Sequence, residues 1–151
     1  MKKWLGLLGI ITLCTVYGDE SLVHSHESQK KYSMYGNCLQ GIATKAMGAK
    51  QFEVWKSSIA VGSNVPLHVH DTEEVFIVLK GKILAIVGGQ EIECIAPATL
   101  ICPANVPHQL INIGDEPTEQ ILVLGIDSKI CDSAGDEMRL PWRGLNTATS
   151  H

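Results

Sequence analysis

The sequence has no basic cluster, no internal repeat, no low-complexity tract and no stretch with sustained helical periodicity. Net charge is −4 over 151 residues. Without a patch of clustered Lys and Arg, neither nucleic acid nor an anionic membrane surface is an expected partner. No Asn-x-Ser/Thr sequon occurs, so N-glycosylation is not expected. No two cysteines have CxxC spacing, which argues against a thiolate zinc site. The one apolar run near the start, residues 4–16, is shorter than the roughly 20 residues a membrane span needs.

That run has another reading. Lys2 and Lys3 precede it, and the small residue Gly18 follows it, with Val16 two positions before. Charged, then apolar, then small is the pattern of a secretory signal peptide. Residues 1–18 are therefore expected to be removed, with no membrane insertion after cleavage. The mature chain would start near Asp19 and travel the secretory pathway, to the endoplasmic-reticulum lumen or the outside. Four cysteines then remain: Cys38, Cys94, Cys102 and Cys131. An even count in an oxidising compartment permits two disulfides in any of three pairings, or free buried thiols.

Hydrophobic residues make up 45% of the chain, enough for one domain with a real core. Residues 19–51 are polar and broken by Gly36, Gly41 and Gly48, and predict an irregular N-terminal extension. Residues 52–127 read as short β-strands: "FEVWKSSIAV", "EVFIVLKG", "KILAIV", "QEIECI", "TLIC", "HQLINI" and "QILVLGI". Gly88-Gly89 predicts a tight hairpin between two of them. Short strands with Gly and Pro punctuation predict an all-β sandwich or barrel. Residues 128–151 form a C-terminal segment in which "MRLPW" is apolar enough to dock.

Within "GSNVPLHVHDTEEVFIVLKG", His68 and His70 are two residues apart. On a strand they point to one side, about 7 Å apart, whereas on a helix they diverge. Glu74 has the same parity and Glu73 the opposite one. A fourth donor must come from a distant strand, and His108 in "PANVPHQLIN" is the candidate. Three imidazoles and one carboxylate suit a borderline divalent transition metal and leave the loaded site with net positive charge, receptive to an anion or water. His24 and His26 repeat the spacing, but in a polar lead with no strand signal. Asn112 is expected to orient a turn or backbone group.

The spacing Gly62, His68, His70, Glu74, Gly81 resembles the first cupin motif without a gap. Pro97, Pro103, Asn105, His108 and Asn112 resemble the second, with Pro97 and Asn105 in place of its glycines. Asn tolerates the left-handed backbone glycine supplies. The resemblance implies a single-domain jelly-roll β-barrel holding a metal inside. "FEVWKSSIAVGSNVPLHVHDTEEVFIVLKGK", with "ESLVHS", "YG" and "PHQLIN", further resembles the plant auxin-binding proteins. That resemblance implies zinc on His68, His70, Glu74 and His108, and a small aromatic carboxylate whose acid meets the metal. It places the ring among Trp55, Pro66, Phe76, Ile130 and Trp142, and a homodimer is compatible with it. Val65 and Ser57 stand where that family has threonine and glutamine. The chain stops at "TATSH", where the family typically carries a retention tetrapeptide. A binding protein is the leading expectation. The alternative is a metal-dependent enzyme, a dioxygenase or isomerase, with iron or manganese on the same ligands. No isolated general base stands beside the ligand set, although Asp71 and Glu73 are near.

Overall fold

Alternation along the central strands decides which side chains face inward. Strand β5 (Glu74–Lys80) buries Glu74, Phe76 and Val78, and β10 (Glu119–Gly125) buries Gln120, Leu122 and Leu124. Period-2 burial of this kind needs a second layer to cover the inner face. The structure, a computed structural model describing residues 22–144, supplies it as two antiparallel sheets.

The remaining strands are β1 (Tyr32–Met34), β2 (Asn37–Ala43), β3 (Phe52–Ile59), β4 (Asn64–His70), β6 (Lys82–Val87), β7 (Gln90–Ile95), β8 (Ala98–Cys102), β9 (His108–Asn112) and β11 (Ile130–Asp132). The six-stranded sheet runs β1-β2-β3-β10-β5-β8, and the five-stranded sheet β11-β4-β9-β6-β7. Their facing sides enclose a core that includes Trp55, Ile59, Phe76, Ile83, Leu110 and Leu124. This is the expected all-β jelly-roll architecture. No helix among the described residues is long and apolar enough to cross a membrane.

The turns follow the expected chemistry. Gly88 and Gly89 have φ of 56° and 82° between the paired residues Val87 and Gln90. Positive φ at both central positions is what the tight hairpin turn requires. Asn105 takes φ 61°, the left-handed conformation expected of it in place of glycine. Buried Asn112 donates from Nδ2 to the carbonyls of Ile59 and Glu116, and its Oδ1 accepts from Gly114 N–H. It is thus a backbone organiser.

One expectation needs correcting, and one open choice is resolved. Residues 19–51 are not an irregular extension, because β1 and β2 lie within them and extend the six-stranded sheet. Strand β2 was hidden because its buried positions include polar residues. Asn37 and Gln40 are both buried and hydrogen-bonded to backbone carbonyls. The four cysteines Cys38, Cys94, Cys102 and Cys131 are free thiols, of which Cys94 and Cys102 are buried and Cys38 is exposed. The signal-peptide reading of residues 1–18 and the terminal "TATSH" lie outside the described residues.

Candidate metal centre

The turn at residues 71–73 carries the chain from one sheet to the other, since β4 and β5 belong to different sheets. Strand β4 contributes His68 and His70, and β9 contributes His108, which pairs directly with His68. Glu74 opens β5 on the facing sheet. The pleat therefore keeps its parity through the turn: Glu74 is buried and Glu73 exposed. Strand β11 flanks the pair on the other side, with Ile130 opposite His70. Its entry is pinned by Asp71, whose Oδ1 accepts from Ser128 Oγ–H at 2.6 Å and Lys129 N–H at 2.9 Å. The Ser128 bond leads the causes that hold the Asp71 carboxyl below its ordinary range.

One donor atom from each of His68, His70, Glu74 and His108 lies within 4.8 Å of the others, and all four residues are buried. His24 and His26 stand apart from the cluster. His24 Nε2 lies 3.0 Å from the Met47 carbonyl, and His26 sits exposed in a one-turn helix.

The hydrogen bonds around the cluster fix what it needs. His108 Nδ1 lies 3.0 Å from the Val106 carbonyl, and His68 Nδ1 lies 2.7 Å from the Pro66 carbonyl. A carbonyl only accepts, so both Nδ1 atoms carry the proton and donate. In a neutral ring this leaves each Nε2 with a lone pair facing inward. His108 Nε2 is 3.1 Å and His70 Nε2 2.9 Å from the same Glu74 Oε2. Neither ring nitrogen of His70 has an aligned hydrogen bond. Lone pairs of His108 and the carboxylate thus converge in a dry site, an arrangement stable only with a cation between them. Backbone carbonyls orienting the imidazoles are also what metal-ligating histidines ordinarily have. The residues present fit a divalent metal.

Burial, ahead of all other causes, lowers the His68 pKa to about 4, opposed by the Glu74 charge. This keeps the ring neutral and ready to ligate at ordinary pH. Burial works to raise the Glu74 carboxyl, but without an ion the adjacent rings of His108 and His70 outweigh burial when they turn a proton towards it, and the pKa falls to about 2. Cys102, paired across the ladder with Glu74, is pushed up to about 12 by burial first and the Glu74 charge second, so it remains a thiol.

Three of the four donors, His68, His70 and Glu74, line a cavity of about 80 Å³. Trp55, Pro66, Phe76 and Ile130 line it. Trp142 does not line it. Its indole packs on Trp55 at 5.6 Å between ring centroids and on Tyr32 at 6.4 Å. The walls also include residues that sequence reasoning missed. Asn37 comes from β2, and Met138, Arg139 and Leu140 come from the C-terminal strap. Met138 N–H bonds to the Ile130 carbonyl, and Arg143 closes the strap by donating to buried Glu53 at 2.7 Å and to the Ser128 carbonyl. The only signal for the strap was the apolar "MRLPW".

A two-sheet barrel with three histidines and a glutamate at this spacing defines a metal-binding cupin. A family model described as "Cupin domain" matches residues 55–124. Among curated proteins, the chain is 36% identical to auxin-binding protein 5 of Zea mays over 104 residues, covering 61% of this chain and 69% of that one. It is 35% identical to auxin-binding protein 4 of Zea mays over 118 residues, 70% of this chain but only 58% of that one. The chain belongs to the auxin-binding protein family of cupins. Solved structures share the fold at low identity. A polyketide cyclase from Streptomyces resistomycificus superposes with TM-score 0.63 at 16% identity, over 72% of this chain and 80% of that one. A Bacillus subtilis oxalate decarboxylase gives 0.64 at 19%, over 72% of this chain and 31% of that one.

Proposed function

We propose that the protein is a zinc-dependent binding protein of the secretory pathway whose ligand is a small aromatic carboxylate, with indole-3-acetate the specific candidate. One observation carries the reading: three donors of the cluster, His68, His70 and Glu74, share a cavity with the apolar and aromatic side chains Trp55, Pro66, Phe76 and Ile130. A divalent metal on three imidazoles and one carboxylate keeps net positive charge, and an oxygen-donor anion would join it as a fifth ligand. Trp55, Phe76 and Pro66 offer a surface for a flat ring, with Ile130 beside them. The names of the similar proteins point to auxin as that ring and acid. Zinc matches the imidazole-rich donor set and has no redox chemistry, in keeping with binding rather than turnover. The lysines, apolar run and Gly18 at the start support a secretory route.

Calorimetric titration of zinc-loaded and metal-stripped protein with indole-3-acetate tests this reading. Micromolar or weaker affinity is expected with zinc, about −8 kcal/mol at best, and none without. Trp55→Ala should weaken binding while the zinc stays in place. Equal binding to stripped protein would refute the coordination of the acid. Dioxygen consumption by an iron-loaded sample that binds no aromatic acid would replace the reading with an enzyme.

A further inference from the structure

Buried Asn37 has its side-chain orientation fixed by two backbone groups. Nδ2 donates to the Tyr35 carbonyl at 3.2 Å and to the Asn64 carbonyl at 3.2 Å. Carbonyls only accept, so the amide nitrogen must face them and the amide oxygen must face away. That oxygen is buried, has no partner among the described residues, and belongs to a residue lining the cavity. Leaving a buried acceptor unpaired is unfavourable and calls for an explanation.

Ser57 is the second polar group on this part of the wall. It is paired with Leu39 on β2, which puts it diagonal to Asn37 on the same inner face. Such diagonal neighbours are about 7–8 Å apart, a gap one hydroxyl can bridge. Ser57 Oγ accepts from Gln120 Nε2 at 3.3 Å, which leaves the hydroxyl hydrogen free to be donated among the described residues. One unpaired acceptor and one free donor therefore flank the same space.

Asn37 is tied to the opposite end of β4 from the ligand histidines. Asn37 is bonded to Asn64 at the start of β4, and His68 stands four residues further on, at most about 13 Å along the strand. The bulge between Val65 and His68 shortens that reach.

We infer that Asn37 and Ser57 form a polar subsite that takes a phenolic hydroxyl at the end of the ligand remote from its acid arm. The hydroxyl donates to Asn37 Oδ1 and accepts from Ser57 Oγ. This rests on the reading that the acid meets the metal, and it narrows the ligand class to aromatic acids with a hydroxyl opposite the acid. Ser57 then selects among acids through the hydroxyl hydrogen it offers.

The test is calorimetric titration of zinc-loaded protein with 4-hydroxyphenylacetate and with phenylacetate. The hydroxylated acid should bind about tenfold tighter, the scale of one or two well-made hydrogen bonds. Asn37→Ala should abolish the preference, and Ser57→Ala should cut it to about threefold, the ratio of the two affinities within each variant being the readout. Equal affinities in the wild type, or a preference that survives Asn37→Ala, overturn the subsite and leave the acid–metal reading intact. If Asn37→Ala does not fold, Ser57→Ala decides, and a full tenfold preference there overturns the subsite. Binding of neither acid overturns both readings.

Discussion

Trp142 packs against Trp55 with ring centroids 5.6 Å apart and planes 51° from parallel. Trp55 faces the cavity, so Trp142 braces a cavity wall from behind. Gly41 makes the bracing feasible. A Cβ there would come within 3.0 Å of the Trp142 ring and 2.7 Å of Thr44 Cγ2. Gly41→Ala should displace the indole and destabilise the fold by about 1–3 kcal/mol, as overpacking does. Denaturant unfolding measures the loss, and unchanged metal content would localise it to the strap.

The Glu53–Arg143 pair is a second tie on the strap. Glu53 is 1% exposed, and its Oε2 accepts from Arg143 Nε. Arg143→Met leaves that carboxylate buried without its partner and should cost about 3 kcal/mol. Glu53→Gln combined with Arg143→Met should recover part of it, because no lone charge remains. A double-mutant cycle reads the coupling. Additive losses would show that the two side chains do not act together.

Removing donors should remove metal. His68→Ala and His108→Ala are expected to lower metal content, and the double variant should hold none. Thermal stability should respond too: zinc should raise the wild-type melting temperature and leave the double variant unmoved. Elemental analysis of protein loaded with one equivalent of zinc gives the decisive number. Full occupancy in the double variant would place the metal elsewhere.

The metal-free protein should weaken in mild acid. An unfolded histidine titrates near 6.5, whereas His68 in the fold titrates at about 4. Between those values the unfolded chain binds more protons, so stability falls as pH drops from 6.5 towards 4. The loss is on the order of 3 kcal/mol, from a shift of that size. Glu74 has the same sign at lower pH. Its contribution is complete above about 4.5 and is lost as pH falls towards 2. Urea unfolding across pH 4 to 7 tests this, and His68→Gln should flatten the upper part of the profile. A flat wild-type profile from 6.5 to 4 would contradict it.

The ligand set was legible because strand periodicity turns a spacing of two into a shared face, and because Glu74 and Glu73 differ in parity. The cavity walls were legible in part. Trp55, Pro66, Phe76 and Ile130 came only through the resemblance to the auxin-binding proteins, not from any local pattern. Asn37 was not legible, because a buried amide on a strand looks like a loop residue until its two carbonyl partners are known. Glu53 was missed for a related reason. In "FEVW" Phe52 is 57% exposed and Glu53 is buried, the reverse of what their polarity suggests. Arg143, 90 residues away, makes that inversion tolerable, and no local pattern announces such a partner.

The division of donors between the sheets has a consequence for exchange kinetics. His68, His70 and His108 belong to the five-stranded sheet, and Glu74 alone to the six-stranded one. An ion held by all four would rivet the two layers together. Its escape would then require the layers to part at that edge, a local opening event rather than simple dissociation. Residence time in such a site follows how often the barrel breathes, and bonds that fasten the barrel far from the ion, such as the strap's, also lengthen its stay.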